Sequence, residues 1–135
     1  MIVDTSALVA AAKDEPESEA LKRAMLRGGL VPTPVLLEYR RVMTWRGARP
    51  APEAEMILQD LLSAELAVEP FTVEDAEIAA AANFDYGAGN GRGGRLNLLD
   101  LMVYATARRL GLPILCTGRD FASTDALIHP FSRSW

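Results

Sequence analysis

Residues 1–10 read MIVDTSALVA, and the fold turns on how Asp4 is understood. An apolar start of strand size, bounded by Asp-Thr-Ser, predicts a buried strand that ends at Val3 and a helix that starts at once. Asp, Thr and Ser at such a junction satisfy the free N–H groups of the helix's first turn, so a capping role already explains the residue type. Other carboxylates recur at comparable junctions along the chain, and capping does not explain that recurrence.

Outward from this stretch, strand and helix signals alternate. The run SALVAAAK (6–13) continues as a helix broken near Pro16, and residues 17–29 read as a second helix ending at Gly28 and Gly29. A short strand, LVPT (30–33), leads to a helix through residue 47, with Thr33 as N-cap, Pro34 at its first position and Gly47 closing it. Residues 52–65 form an amphipathic helix, 66–71 a strand, and 72–87 an alanine-rich helix opened by Thr72. After the connection GAGNGRGG come the most strongly helical stretch, 96–111, the strand PILCT (113–117) and a turn at GRDF. Strands separated by helices predict an α/β domain, 1–135, with a central parallel sheet covered on both faces. No internal repeat or linker divides it.

Composition narrows the function. With 135 residues, half of them hydrophobic, the chain can bury a core without disulfides or structural metal. The single cysteine, Cys116, lies in an apolar run and reads as a buried strand residue of a protein in a reducing, cytoplasmic compartment. No apolar run is long enough for a membrane span, and the N-terminus has no basic flank of a signal peptide. A net charge of −4 argues against a broad electrostatic grip on nucleic acid, so nucleic-acid chemistry requires a local site.

The acids supply one. In open α/β sheets functional groups gather at the carboxyl ends of strands. Asp4 ends the first strand, Glu38 lies early in the helix after LVPT, Asp100 opens the helix beginning near Asn97, and Asp120 follows PILCT by a short turn. Four carboxylates drawn into one hollow repel one another and need a cation. An all-oxygen set without His or Cys selects Mg²⁺ or Mn²⁺, directly held by one or two acids while the others hold or deprotonate water. That is the arrangement for metal-assisted phosphodiester hydrolysis.

IVDTSAL at the start, Glu38 in LLEYRR, the NxxD step of RLNLLD and the closing GRDFASTD together resemble the PIN-domain ribonucleases, within them the VapC-type toxins of bacterial toxin–antitoxin pairs. The resemblance spans almost the whole chain. It implies a three-layer α/β/α fold, a Mg²⁺- or Mn²⁺-dependent endoribonuclease acting on RNA, and a homodimer inhibited by a VapB-like antitoxin. Carried over by position, Asp4, Glu38, Asp100 and Asp120 match the family's acidic quartet, with Asp4 and Asp100 as principal metal ligands. Thr5 and Ser6 match polar residues that hydrogen-bond around the first Asp, and Asn97 and Thr117 match supporting positions. Leu99 stands where many relatives have a small residue, and Asp125 competes with Asp120 as the fourth acid.

Each acid also has a structural explanation: a cap for Asp4, a solvated helix position for Glu38, a turn for Asp120. Asp100 interrupts an apolar run and needs a partner. Arg40, Arg41, Arg46 and Arg49, with Arg92 and Arg95, are candidate phosphate contacts or merely a solvated face. Tyr39, Met43 and Trp45 read first as core by their helical spacing, otherwise as dimer surface or antitoxin groove. GNGRGG fits GxGxxG but follows a helix, so it reads as a flexible surface loop rather than a dinucleotide site. His129 reads as structural. A catalytically silent PIN-like module that acts through a protein or RNA partner is the alternative to a nuclease; the DxDxT signature of one phosphatase class is missing.

Overall fold

The computed structural model describes residues 1–14, 16 and 18–132. Among these residues four parallel strands make one sheet in the order β3-β2-β1-β4: β1 is Ile2–Val3, β2 Gly29–Pro32, β3 Leu66–Glu69 and β4 Ile114–Leu115. The two central pairings set Ile2 opposite both Leu30 and Ile114, and Val3 opposite Leu115. Ile2, Val3, Ile114 and Leu115 are fully buried, which a strand achieves only when both faces of its sheet are covered. At the β3 edge Ala67 and Val68 stay exposed.

Among the described residues six α-helices supply the cover: α1 Thr5–Ala12, α2 Ser18–Met25, α3 Thr33–Thr44, α4 Ala51–Ser63, α5 Val73–Tyr86 and α6 Leu98–Leu110. The amphipathic pattern reports the buried faces directly. On α3 the stripe Val35, Tyr39, Met43 recurs every four residues and is buried, and the Tyr39 hydroxyl reaches the Ala54 carbonyl of α4 at 3.2 Å. Burying a side chain such as Leu58 or Leu8 stabilises the fold by about 1.5–3 kcal/mol each. Helix ends follow their caps: Thr72 and Asp75 form a reciprocal capping box at α5, and Gly111 ends α6 at φ +65°, a conformation that favours glycine.

Two constraints hold α5 and α6 in place. Arg109, near the end of α6, donates to Asp75 at 2.7 and 3.1 Å and to Glu69 at 2.8 Å, pinning α6 to β3 and to the start of α5. In the connection between α5 and α6, the Asn90 carbonyl accepts from the amides of Arg92 and Gly94, and its NH₂ donates to the Phe84 carbonyl. A Cβ on Gly94 would stand 2.3 Å from the Gly87 carbonyl oxygen, so the loop read from sequence as flexible is a close-packed turn that requires glycine.

Several boundaries differ from the sequence reading. Pro32, not Thr33, is the N-cap of α3; that places Thr33 inside the helix, where its hydroxyl accepts the Phe71 N–H at 3.1 Å. The helix stops at Thr44 and continues as a 3₁₀ turn, Trp45–Gly47, because Arg46 turns into the left-handed region at φ +53°. β4 is only two residues long, so Cys116 and Thr117 lie just beyond it. The second helix begins at Ser18; Glu17, included from sequence, lies outside the described residues.

Candidate active site

The site stands at the carboxyl end of the sheet. Asp4 follows β1 directly, and its own N–H donates to the Leu115 carbonyl at 3.0 Å, locking it beside the end of β4. Its Oδ2 accepts the Ser6 N–H at 3.0 Å and the Ser6 hydroxyl, so it caps α1 as the sequence suggests. The Ser6 oxygen accepts in turn from the Thr117 N–H at 3.0 Å. A single hydroxyl therefore joins the loops after β1 and β4.

Glu38 projects from α3 and accepts the Thr5 hydroxyl. This refines one expectation: the Thr5 hydroxyl serves Glu38 while its backbone amide, with Ser6, attends Asp4. Asp100 is the third residue of α6. Its Oδ2 accepts the Asn97 N–H at 2.9 Å, while the Asn97 side-chain oxygen takes the N–H groups of Leu99 and Asp100 at 2.8 and 3.0 Å. Thr117 contributes its backbone amide. Asp120 opens the 3₁₀ turn Asp120–Ser123 beyond β4 and is exposed.

Asp4, Glu38, Asp100 and Asp120 all line one cavity of about 230 Å³, together with Thr5, Ser6 and Thr117. Val9, Val42 and Phe121 complete its wall; as apolar residues they carry no chemical signal that marks them as site residues. Asp125, the competing fourth acid, is engaged elsewhere: it accepts the Tyr104 hydroxyl at 2.6 Å and pairs with Arg108 at 3.4 Å.

The acids are destabilised by their placement. Burial raises the Asp4 carboxyl above its ordinary range, against the opposing Ser6 hydrogen bonds, and the Glu38 charge raises it further. Burial likewise pushes Asp100 up to about 7; its bond to the Asn97 amide opposes this, and the charges of Asp4, Asp120 and Glu38 add to it. Burial and the charges of Asp4, Asp120 and Asp100 push the Cys116 thiol up to about 11, so it stays protonated and unreactive at neutral pH.

The donor set suits a hard cation. Among the described residues, Asp4 and Asp100 each keep Oδ1 free of protein hydrogen bonds, and no buried side-chain oxygen is left unpaired, so both atoms are open to the cavity. No three His, Cys, Asp or Glu side chains among the described residues stand close enough to chelate one ion together. Two direct carboxylates with water filling the remaining positions is the usual Mg²⁺ arrangement.

Of the arginines, Arg40 is committed to Glu55 through two bonds of 2.8 and 2.9 Å, and it pulls that carboxyl down to about 2. Arg49 pairs with Glu53, and Arg92 pairs with Asp85 while lying over the Phe84 ring. Arg95 is exposed. Arg41 and Arg46 lie over the Trp45 ring, at 5.5 and 5.9 Å from its centroid. Tyr39 and Met43 are core, whereas Trp45 is 53% exposed. His129 packs edge-on against Phe131, as a structural residue would.

A family model described as PIN domain matches residues 1–127. The chain belongs to the PIN domain family. This PIN domain is 38% identical over 128 residues to the VapC ribonuclease Mb2780c of Mycobacterium bovis, covering 93% of this chain and 95% of that protein. It is 40% identical over 129 residues to ribonuclease VapC36 of Mycobacterium tuberculosis, covering 93% and 90%. Among solved structures it resembles VapBC2 from Rickettsia felis bound to a promoter DNA fragment, with a TM-score of 0.74 at 14% identity over 99% of this chain and 97% of that one. The sarcin-ricin-loop-cleaving toxin VapC20 of Mycobacterium tuberculosis gives 0.72 at 19% identity, covering 93% and 95%. The all-parallel four-stranded sheet is thus the sheet of a PIN domain.

Proposed function

We propose that this PIN domain is a divalent-metal-dependent endoribonuclease, the toxin of a toxin–antitoxin pair, that hydrolyses phosphodiester bonds in structured RNA. The observation that carries the reading is the convergence of four carboxylates on one cavity, two of them with an oxygen left free. The names of the sequence relatives, VapC ribonucleases, support the activity, and the toxin–antitoxin complexes among the structural neighbours support a VapB-like antitoxin partner. A homodimer belongs to the same proposal.

Asp4 and Asp100 would hold Mg²⁺ or Mn²⁺ through their free Oδ1 atoms. Bound there, the ion supplies a polarised phosphoryl oxygen and a water acidic enough to attack at neutral pH. The chain's own residues do the positioning. Ser6 fixes the Asp4 carboxylate, and the Asn97 amide fixes Asp100. Glu38, steadied by Thr5, and Asp120, exposed at the cavity wall, orient the attacking water and accept its proton. The products are a 3′-hydroxyl and a 5′-phosphate.

Incubating antitoxin-free protein with total cellular RNA plus Mg²⁺ or Mn²⁺, and mapping the new ends, tests the proposal. Discrete cuts that disappear in Asp4→Ala and Asp100→Asn proteins, both still folded, are expected. Cleavage at the wild-type rate by either variant refutes the assignment. A protein that neither binds Mn²⁺ nor cuts RNA is the silent binding module instead.

A further inference from the structure

A second cavity, of about 490 Å³, adjoins the acidic one and shares Glu38 and Val42 with it; Lys13, Arg41, Trp45 and Ala48 form the remainder of its lining. Its character is the opposite of its neighbour's. The Trp45 indole is 53% exposed, off the buried Val35–Tyr39–Met43 stripe of α3, and guanidiniums of Arg41 and Arg46 lie over its ring. Among the described residues neither of these arginines pairs with a carboxylate, whereas Arg40, Arg49 and Arg92 all do. The chain also holds Arg46 at φ +53°, a conformation that costs a non-glycine residue about 1 kcal/mol or more, immediately after the tryptophan.

We propose that this cavity is a nucleotide subsite of the RNA substrate: one base of the strand next to the cleaved phosphodiester stacks on Trp45, and Arg41, Arg46 and Lys13 take the flanking phosphates. The inference rests on the ribonuclease reading for its substrate and adds the residue that grips it. A half-exposed aromatic ring with two guanidiniums 5.5 and 5.9 Å from its centroid sets a π-surface and positive charge side by side, which is the pairing that single-stranded nucleic acid rewards. Charge complementarity favours a polyanion here: Lys13 and Arg41 line the cavity and Arg46 stands beside Trp45, with neither arginine paired to a carboxylate among the described residues. Continuity through Glu38 and Val42 places the stacked base beside the acids, within reach of a neighbouring phosphate. Stacking reads any base, so this subsite gives affinity and a geometric requirement for an unpaired nucleotide rather than sequence specificity.

The test uses the full chain carrying Asp4→Asn, expected to bind RNA without cutting it, with Trp135→Phe so that Trp45 is the remaining tryptophan. A six-nucleotide single-stranded RNA should quench its fluorescence; the same oligomer with abasic sugars should not. In the same Asp4→Asn chain Trp45→Ala should weaken RNA binding about 5- to 150-fold, and Trp45→Phe should recover part of the loss. With Asp4 intact, Trp45→Ala should raise KM while keeping kcat. RNA affinity unchanged by Trp45→Ala, or equal quenching by the abasic oligomer, overturns the proposal. So does a Trp45→Ala protein that loses affinity for the antitoxin alone, because the ring then serves a protein. Wild-type cleavage with an irrelevant Trp45 sinks only the subsite; base-dependent quenching in a chain that never cleaves sinks only the nuclease.

Discussion

Replacing Asp100 by Asn should stabilise the metal-free protein at about pH 8 while ending RNA cleavage. Burial, helped by the charges of Asp4, Asp120 and Glu38, lifts this carboxyl from 3.8 to about 7. In the unfolded chain it ionises near its ordinary value, so between those two pH values the native state keeps a proton that the unfolded state has released. Stability therefore falls as pH rises through that window, and the whole penalty is present above it. At 1.36 kcal/mol per tenfold change in acidity, the bound is about 4 kcal/mol. Asp100 is partly exposed, and water screens the repulsion, which reduces the penalty to about 2 kcal/mol. The neutral amide gives back about 0.5 kcal/mol of charge–helix interaction at the start of α6. A net gain of about 1–2 kcal/mol corresponds to a Tm higher by about 3–8 °C for a chain of this size. Calorimetric melts in a chelator at about pH 5 and pH 8 should show the gap between variant and wild type widening at the higher pH, and Mn²⁺ should raise the wild-type Tm but not the variant's. An Asp100→Asn protein that melts at or below the wild-type temperature at the higher pH refutes the reasoning.

Ser6→Ala should lower cleavage at least tenfold, because the Asp4 carboxylate loses a hydroxyl donor and the Thr117 amide loses its acceptor; steady-state rates at saturating metal measure this. Arg109→Ala leaves Asp75, which has no exposed surface, without its cation and should cost about 3–5 kcal/mol in urea denaturation, far from the acids. Gly94→Ala should destabilise by about 1–3 kcal/mol, since its methyl group meets the Gly87 carbonyl; an unchanged denaturation midpoint would show that the turn gives way freely.

The parts of this molecule that were legible in its sequence are those set by local chemistry. Asp4, Thr72 and Asn97 announce helix starts because a short polar side chain must satisfy bare amides there, and Val35, Tyr39 and Met43 announce a buried stripe through their spacing. The four acids were legible as junction residues, but their convergence depends on the strand order, which places β1 between β2 and β4 and so brings their loops together. Long-range pairings stayed hidden for the same reason. Nothing local says that Thr5 reaches Glu38, 33 residues on, or that Asp125 is taken by Tyr104 and Arg108. Trp45 misleads by its apolar character: it stands two residues past Met43, off the buried stripe of α3, and the left-handed turn at Arg46 ends the helix with the ring outside the core.

Calorimetric titration of Mn²⁺ into the antitoxin-free protein, wild type beside Asp4→Asn, tests the central claim that Asp4 and Asp100 together hold a divalent cation in the acidic cavity. Saturable binding with release of protons near neutral pH, lost in the variant, is the expected result. Wild-type and Asp4→Asn proteins with the same Mn²⁺ isotherm, or neither binding at all, would contradict it.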